Sequence, residues 1–450
     1  MTSTALACAK DTAHRPGLTR GLAAGIEVVA GTAGDHPAVQ LFLSSVFPES
    51  SGLDFQTQLD EPHYEPSDRL LIKHRQNVAA HLRLTNRELR FGASTLPVSC
   101  VIHNATLPEF RGRGYASALL AAAEEQMEQD GAVLGVLRTS EPDFYRRRGW
   151  IVCGRHSYST IGCHQLLAEL SRQEASPDRL SADAKPPVLH IRYLRRVELA
   201  AAIRLYQAHI RQAYGVYVRT EASWRWLLNR RGFDRIYVAI EGAPEIELDG
   251  TFSAIVGYAA ARGGRLVELV TAPRRPDTAQ SLLRRFCSDA IEQDCRQVRV
   301  DLPPHHPLHA ALLASGGTYC RQELDRGEAF MVKVLDPARL IQGLHAEFLR
   351  RLEADRQFAH RELGFVIGDR QRVLEITPQH SSLEPGRVKR TFVRCSRTQF
   401  WQLLLGHLDV RQAAQDGLIS VSNRLALESA CTLLPPLPLW FPPLDDLPAR

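Results

Sequence analysis

Arg111-Gly112-Arg113-Gly114 sets two cations and two glycines directly before an amphipathic stretch, an order suited to holding a phosphate anion. Glycine lets the backbone turn tightly and approach a ligand closely. The first turn of a helix offers N–H groups without intrahelical partners and the positive end of the helix dipole. Guanidinium groups beside such a turn suit a pyrophosphate better than a lone carboxylate. A second cluster, His305, His306 and His309, includes a pair at helical i, i+4 spacing that suits a metal ion. No third ligand lies nearby in sequence and Pro303-Pro304 reads as a helix start, so no metal is expected.

These residues need elements to position them. Val101 to Leu107 reads as a strand. The segment from Tyr115 to Gln129 reads as a helix, because Ala116, Leu119, Leu120, Ala123 and Met127 recur on one face and Gly131 is placed to end it. Ala132 to Leu137 is an almost unbroken apolar run, the pattern of a buried parallel strand. Strand, glycine turn, helix and strand thus follow in the order of an anion-binding unit. Upstream, Ile26 to Val29 reads as a short strand and Asp35 with Pro37 opens a helix. Pro48 to Pro66 is expected to be irregular. Leu70 to Lys73, Val78 to Leu84 and Glu88 to Phe91 read as antiparallel strands with turns at Arg75-Gln76-Asn77 and Thr85-Asn86.

The chain has 450 residues, too many for one core. Its divisions are expected at 1–25, a polar tail without the basic start and apolar run of a secretion signal; 26–170; 171–187, a Pro- and Ser-rich linker; 188–336; and 337–450. The net charge of +5 is mild, and no basic stretch is interleaved with base-stacking aromatics, so nucleic acid is not expected as a partner. No segment is apolar for long enough to cross a bilayer. Nine cysteines, odd in number and without a Cys-x-x-Cys pair, are read as reduced thiols of a cytoplasmic protein.

Thr271 to Leu283 parallels Thr106 to Leu120, with strands Arg265 to Val270 before it and Gln297 to Leu302 after it. In this second copy both glycines are gone. Pro276-Asp277 puts a missing donor and a negative charge where a phosphate would lie. Trp224 and Trp226 fall in a segment expected to be helical and to pack its core. The remainder reads as helix Ala338 to Leu352, strands Glu362 to Gly368, Gln371 to Thr377 and Val388 to Ser396, helices from Thr398 and Val410, and a final strand at Gly417 to Val421.

Arg111-Gly112-Arg113-Gly114-Tyr115-Ala116 is similar to the Arg/Gln-x-x-Gly-x-Gly/Ala loop of the GNAT acyltransferases, which bind acyl-coenzyme A by its pyrophosphate. Thr106 to Phe110 and Phe144 to Trp150 fit the same family at the expected distances. Over nearly the whole chain the order resembles the enhanced-intracellular-survival family of bacterial N-acetyltransferases. Ser140-Glu141 with Tyr145-Arg146-Arg147-Arg148-Gly149-Trp150 matches that family's Ser-Glu-x-x-x-Tyr-x-Arg-x-Gly-aromatic segment, and Phe400 to Gly406 is similar to a motif of sterol-carrier-protein-like domains.

The resemblance implies an α/β (α+β) fold: tandem GNAT folds, the second degenerate, followed by a sterol-carrier-protein-like domain. It implies acetyl-CoA as cosubstrate and an amine acceptor of the aminoglycoside, polyamine or lysine type. Coenzyme contacts would come from Ala105, Leu107, Arg111, Gly112, Arg113, Gly114, Ala116 and Ser117. Tyr145 would be the general acid, and a phenol with an ordinary pKa of about 10 is protonated at neutral pH. The terminal carboxylate, here on Arg450, would be the base, although Trp440 to Arg450 departs from the family in its Pro- and Asp-rich composition. The family also implies a homo-oligomer, a hexamer among its members. A regulatory, scaffold or lipid-carrier protein that keeps a coenzyme-binding fold is the alternative.

Overall fold

The computed structural model describes residues 26–47, 52–75, 77–174, 188–242, 255–273, 275–325, 327–353 and 360–446. Its first elements are β1 (Val28–Ala30), α1 (His36–Val46), α2 (Gly52–Leu59), β2 (Arg69–His74), β3 (Asn77–Phe91), β4 (Ser94–Thr106), α3 (Tyr115–Gln129), β5 (Leu134–Thr139), α4 (Pro142–Arg146) and β6 (Ile151–Val152). Next come β7 (His156–Gly162), α5 (Cys163–Glu174), β8 (Leu189–Tyr193), α6 (Leu199–His209), β9 (Tyr214–Tyr217), α7 (Glu221–Arg230), β10 (Arg235–Glu241), β11 (Ile255–Arg262) and β12 (Arg265–Thr271). They are followed by α8 (Pro276–Glu292), β13 (Gln297–Asp301), α9 (Pro307–Ala314), β14 (Thr318–Gln322), β15 (Leu324–Asp325) and β16 (Glu328–Val334). The last are α10 (Pro337–Gly343), α11 (His345–Leu352), β17 (Arg361–Ile367), β18 (Arg370–Ile376), β19 (Ser381–Pro385), β20 (Phe392–Cys395), α12 (Arg397–Leu404), α13 (Val410–Gln415), β21 (Ser420–Val421) and α14 (Arg424–Leu433).

The described residues fall into two compact units, one drawn from 1–50, 64–85 and 101–126, the other from 51–63, 86–100 and 127–450. In the first, β1 pairs antiparallel with β2 and β2 with β3. Val39, Phe42 and Leu43 of α1 and Leu119, Leu120 and Ala123 of α3 are buried, the apolar faces that the helical spacing requires.

In the second unit, β4 pairs in parallel with β5 from Val98 to Cys100, and β5 pairs antiparallel with β16. A further sheet has the order β14-β7-β13-β12-β11-β10-β8, and a third β19-β18-β17-β20-β21. Strand β7 follows directly on the first run of elements yet pairs with β13 and β14, while β16 returns from the end of the second run to pair with β5 and β6. Among the described residues no helix is long and apolar enough to cross a membrane.

Several elements differ from the sequence reading. Strand β3 runs unbroken through Thr85-Asn86, where a turn is expected, and the Asn86 amide instead donates to Asp130 at 3.2 Å. The turn lies at Gly92, whose φ of 59° favours glycine. The stretch expected to be irregular contains α2, whose Phe55 is buried. The helix expected from Ala338 to Leu352 is two, α10 and α11, and β19 and α14 are additional.

Candidate active site

The coenzyme-type loop lies wholly in the first unit. Gly112 and Gly114 adopt φ of 76° and 81°, and a Cβ built at either would meet nothing within 4 Å. The loop is therefore open, and its glycines are required by backbone conformation rather than by crowding. Arg111, Gly112, Arg113 and Gly114 are exposed, while Ala116 and Ser117 are half-buried in the first turn of α3. Local bonds hold the loop in shape. Arg111 Nε donates to the Thr106 carbonyl at 3.4 Å, Arg113 Nη2 to the Glu109 carbonyl at 3.2 Å, and the Arg113 guanidinium sits 5.1 Å from the Phe110 ring centroid.

The arrangement fits a coenzyme pyrophosphate on grounds internal to the structure. The first N–H groups of α3 face an open turn, two guanidinium groups flank it, and the Thr106 and Tyr115 hydroxyl oxygens are buried without a partner among the described residues. Of the two coenzyme contacts expected just before the loop, Ala105 and Leu107, the Leu107 N–H already donates to the Ala79 carbonyl at 3.0 Å. A role for it as donor to a ligand would require that bond to open. Ala105 is half-buried one residue from the end of β4.

Tyr145 lies in the second unit, on α4. The N-cap of this helix is Glu141, with Pro142 in the first turn, and Thr139 Oγ1 accepts from the Glu141 N–H at 2.9 Å. The Tyr145 ring is buried, edge-on to Phe144 at 4.9 Å and to Trp150 at 6.0 Å. Its carbonyl accepts from Arg148 N–H at 2.9 Å and Trp150 N–H at 3.2 Å, so the Arg-Arg-Arg-Gly-Trp segment closes back on the tyrosine. Gly149, with φ of 82°, makes that closure possible.

Arg450 lies outside the described residues, but the segment leading to it is held firmly. Arg219 is enclosed between two carboxylates: Nε and Nη2 donate to Asp445 at 2.9 and 2.7 Å, and Nη1 and Nη2 to Glu268 at 2.9 and 2.7 Å. Burial opposes the Arg219 charge, but Asp445 and Glu268 hold its pKa well above the ordinary guanidinium value. The Tyr258 hydroxyl donates to Glu268 at 2.7 Å, and Tyr206 and Trp224 present their rings to Arg219 at 4.4 and 4.9 Å. Arg230 donates to the carbonyls of Leu444 and Asp445, and Arg138, next to the last residue of β5, pairs with Asp446 at 2.8 Å. The sequence singles out the two aspartates; it gives no signal for the arginines that take them.

The other candidates resolve into structure. Trp224 and Trp226 are buried, and Trp226 Nε1 donates to the Thr57 carbonyl at 2.7 Å. His306 caps α9 by accepting from Leu308 N–H, and His309 is buried between the hydroxyls of Ser157 and Ser159 at 3.2 and 2.8 Å. Among the described residues no cluster of His, Cys, Asp and Glu forms a metal site. Eight described cysteines are free thiols; Cys8 lies outside the described residues.

Residues 27–153 match the family model of the acetyltransferase (GNAT) domain. The chain carries a GNAT acetyltransferase domain. No curated protein matches the chain. Its fold is similar to that of a GCN5-related N-acetyltransferase from Kribbella flavida, at 16% identity and a TM-score of 0.66, covering 92% of this chain and 97% of that one. A GCN5-related N-acetyltransferase from Anabaena variabilis ATCC 29413 is similar at 16% identity and a TM-score of 0.67, covering 92% and 99%. Eis1 from Mycobacterium abscessus is similar at 15% identity and a TM-score of 0.59, covering 91% and 96%. At these identities the likeness is one of fold, and it extends well beyond the GNAT-matching residues.

Proposed function

We propose that this protein transfers the acetyl group of acetyl-CoA to a primary amine, of the aminoglycoside, polyamine or lysine-side-chain kind. The observation that carries the reading is the open positive-φ loop at Gly112 and Gly114, set at the start of α3 within the residues that match the GNAT model. Gly112, Arg113, Gly114, Ala116 and Ser117 would hold the pyrophosphate with Arg111 and Arg113 adding charge. Bound there, acetyl-CoA supplies an activated thioester.

The neutral amine attacks the thioester carbonyl, forming the C–N bond and a tetrahedral oxyanion that the Ala105 N–H stabilises. Collapse breaks the C–S bond. Tyr145 gives its proton to the departing thiolate, and the ammonium proton passes to the terminal carboxylate on Arg450. The anchoring of Asp445 by Arg219 and of Asp446 by Arg138 supports a defined path for the tail, and the position of Arg138 just before the turn into α4 supports a path toward Tyr145. The second run, around α8, is read as a degenerate GNAT fold without coenzyme, and the third as sterol-carrier-like. Both build acceptor pocket and a homo-oligomeric assembly, a hexamer by resemblance, in the cytoplasm.

The test is thiol release from acetyl-CoA in the presence of aminoglycosides, polyamines and a lysine peptide. Amine-dependent release is expected; coenzyme binding with no release for any amine would favour the scaffold or lipid-carrier reading.

A further inference from the structure

Six non-glycine residues among the described ones have positive φ, and His103, at 52°, is the one that sits inside a strand. A bulky residue there costs backbone energy and persists only where surrounding structure determines it. What determines it is a buried relay in the first unit. His81, on β3 and fully buried, makes a 3.0 Å bond from Nδ1 to the His103 carbonyl. Its Nε2 lies 3.1 Å from Arg69 Nη1, and Arg69 is itself fully buried.

An arginine can only donate, so Nε2 must accept and the proton of the neutral imidazole must be on Nδ1, where it is donated to His103. Burial and the Arg69 charge push the His81 pKa well below its ordinary value, in keeping with that neutral form. Arg69 is fixed in turn: its Nε donates to the Tyr64 hydroxyl at 2.9 Å, and that hydroxyl lies 3.0 Å from His36 Nε2.

The kink has a defined place on β4. The His103 ring lies 5.3 Å from Phe47, at the end of α1, and just past the last residue of β4 the Leu107 N–H donates to the Ala79 carbonyl at 3.0 Å. Between those points Asn104, Ala105 and Thr106 are all half-buried, without the alternation of a regular strand. The coenzyme loop follows directly.

We propose that His81 is a positioning residue for acetyl transfer: by holding the His103 carbonyl it sets the kink in β4 that aims the Ala105 N–H at the acetyl carbonyl. The proposal rests on the acetyltransferase reading above. It requires no contact of His81 with substrate, and it predicts a loss confined to turnover. His81→Leu should lower kcat about thirtyfold, a cost in the range for misplacing an oxyanion donor, with coenzyme A affinity within about twofold of wild type. His81→Gln, whose amide N–H can still reach the carbonyl, should keep most of kcat. Tyr64→Phe, which loosens Arg69 from the outer end, should lower kcat about threefold, the loss of one indirect hydrogen bond.

Amide exchange at Ala105 reads the same geometry without turnover: acetyl-CoA should protect it in wild type and in His81→Gln but not in His81→Leu. Unchanged kcat in His81→Leu, equal losses in the Leu and Gln variants, or equal Ala105 protection in all three would overturn the proposal. If His81→Leu does not fold, Tyr64→Phe decides, and wild-type kcat in that variant sinks it. Wild-type protein without amine-dependent thiol release would instead count against the acetyltransferase reading, leaving Ala105 protection to judge the role of His81.

Discussion

The start of α3 and the start of α8 are the same device built twice, with opposite chemistry. Each helix follows a strand, β4 or β12, that pairs in parallel with the strand after the helix, β5 or β13. Each helix start therefore has the dipole and free N–H groups that favour an anion. At α3 the preceding turn carries two glycines at positive φ, two exposed arginines and open space. At α8 it carries Arg275, engaged with Glu241 at 2.6 Å, then Pro in the first turn and Asp277. Proline removes a donor, and the carboxylate occupies the favourable end of the dipole that a phosphate would need. A helix N-terminus in this fold is thus suited to a coenzyme phosphate only when the turn before it lets the backbone approach and leaves the positive end uncompensated, which is why the coenzyme is proposed at α3 and not at α8.

The comparison can be broken most severely at Gly114. Gly114→Val puts a β-branched side chain at φ 81°, so the turn must change conformation and no longer aims its backbone N–H groups at the phosphate. About 4 kcal/mol of lost binding, or roughly a thousandfold in kcat/KM, is expected in steady-state kinetics, with the melting temperature lowered only by the few degrees that one strained residue costs. Tyr145→Phe should lower kcat about a hundredfold while coenzyme affinity stays constant, because it removes a proton donor and not a binding group. Truncation after Asp446 keeps every bond from Arg219, Arg230 and Arg138 and removes only the segment proposed to carry the base. A fall in kcat of about thirtyfold is expected, and full activity would return the base to the first unit.

The smallest effect on turnover is expected at Glu347 of α11, where the consequence is one of stability. Burial opposes its ionisation, but Arg350, the Ala93 N–H, Arg351 and Tyr214 outweigh it and bring the pKa from 4.5 to about 2. A depressed carboxylate contributes stability above its unfolded pKa and loses it as pH falls toward the folded one. Wild-type protein should therefore lose roughly 2 kcal/mol between pH 4.5 and 2 by urea denaturation, a loss that Glu347→Gln lacks, with kcat of the variant unchanged at pH 7.

How far the sequence was legible follows from the range of the interactions. The loop and α3 are local: a 3.6-residue apolar period, two glycines before it and one after it, all within a short stretch. The unsuitability of the α8 start for an anion is equally local, in Pro276-Asp277. The continuity of β3 through Thr85-Asn86 is not legible, because an Asn in a strand reads as a turn until its tertiary partner, Asp130, is known. The exchange of β7 and β16 between sheets leaves no local trace, since a short alternating strand looks the same whichever neighbour it takes. The relay through His36, Tyr64, Arg69, His81 and His103 joins five separate segments, and a histidine at left-handed φ has no sequence signature. The tail is half legible: Asp445 and Asp446 stand out among prolines, whereas Arg219, before α7, and Arg230, at its end, look like any other arginines.

Isothermal titration of the full chain with coenzyme A tests most directly whether only one of the two similar helix starts binds the coenzyme. One coenzyme per chain in wild type, none in Gly114→Val and one in Asp277→Asn are the results predicted. Two coenzymes per wild-type chain, or undiminished binding in Gly114→Val, would contradict the account.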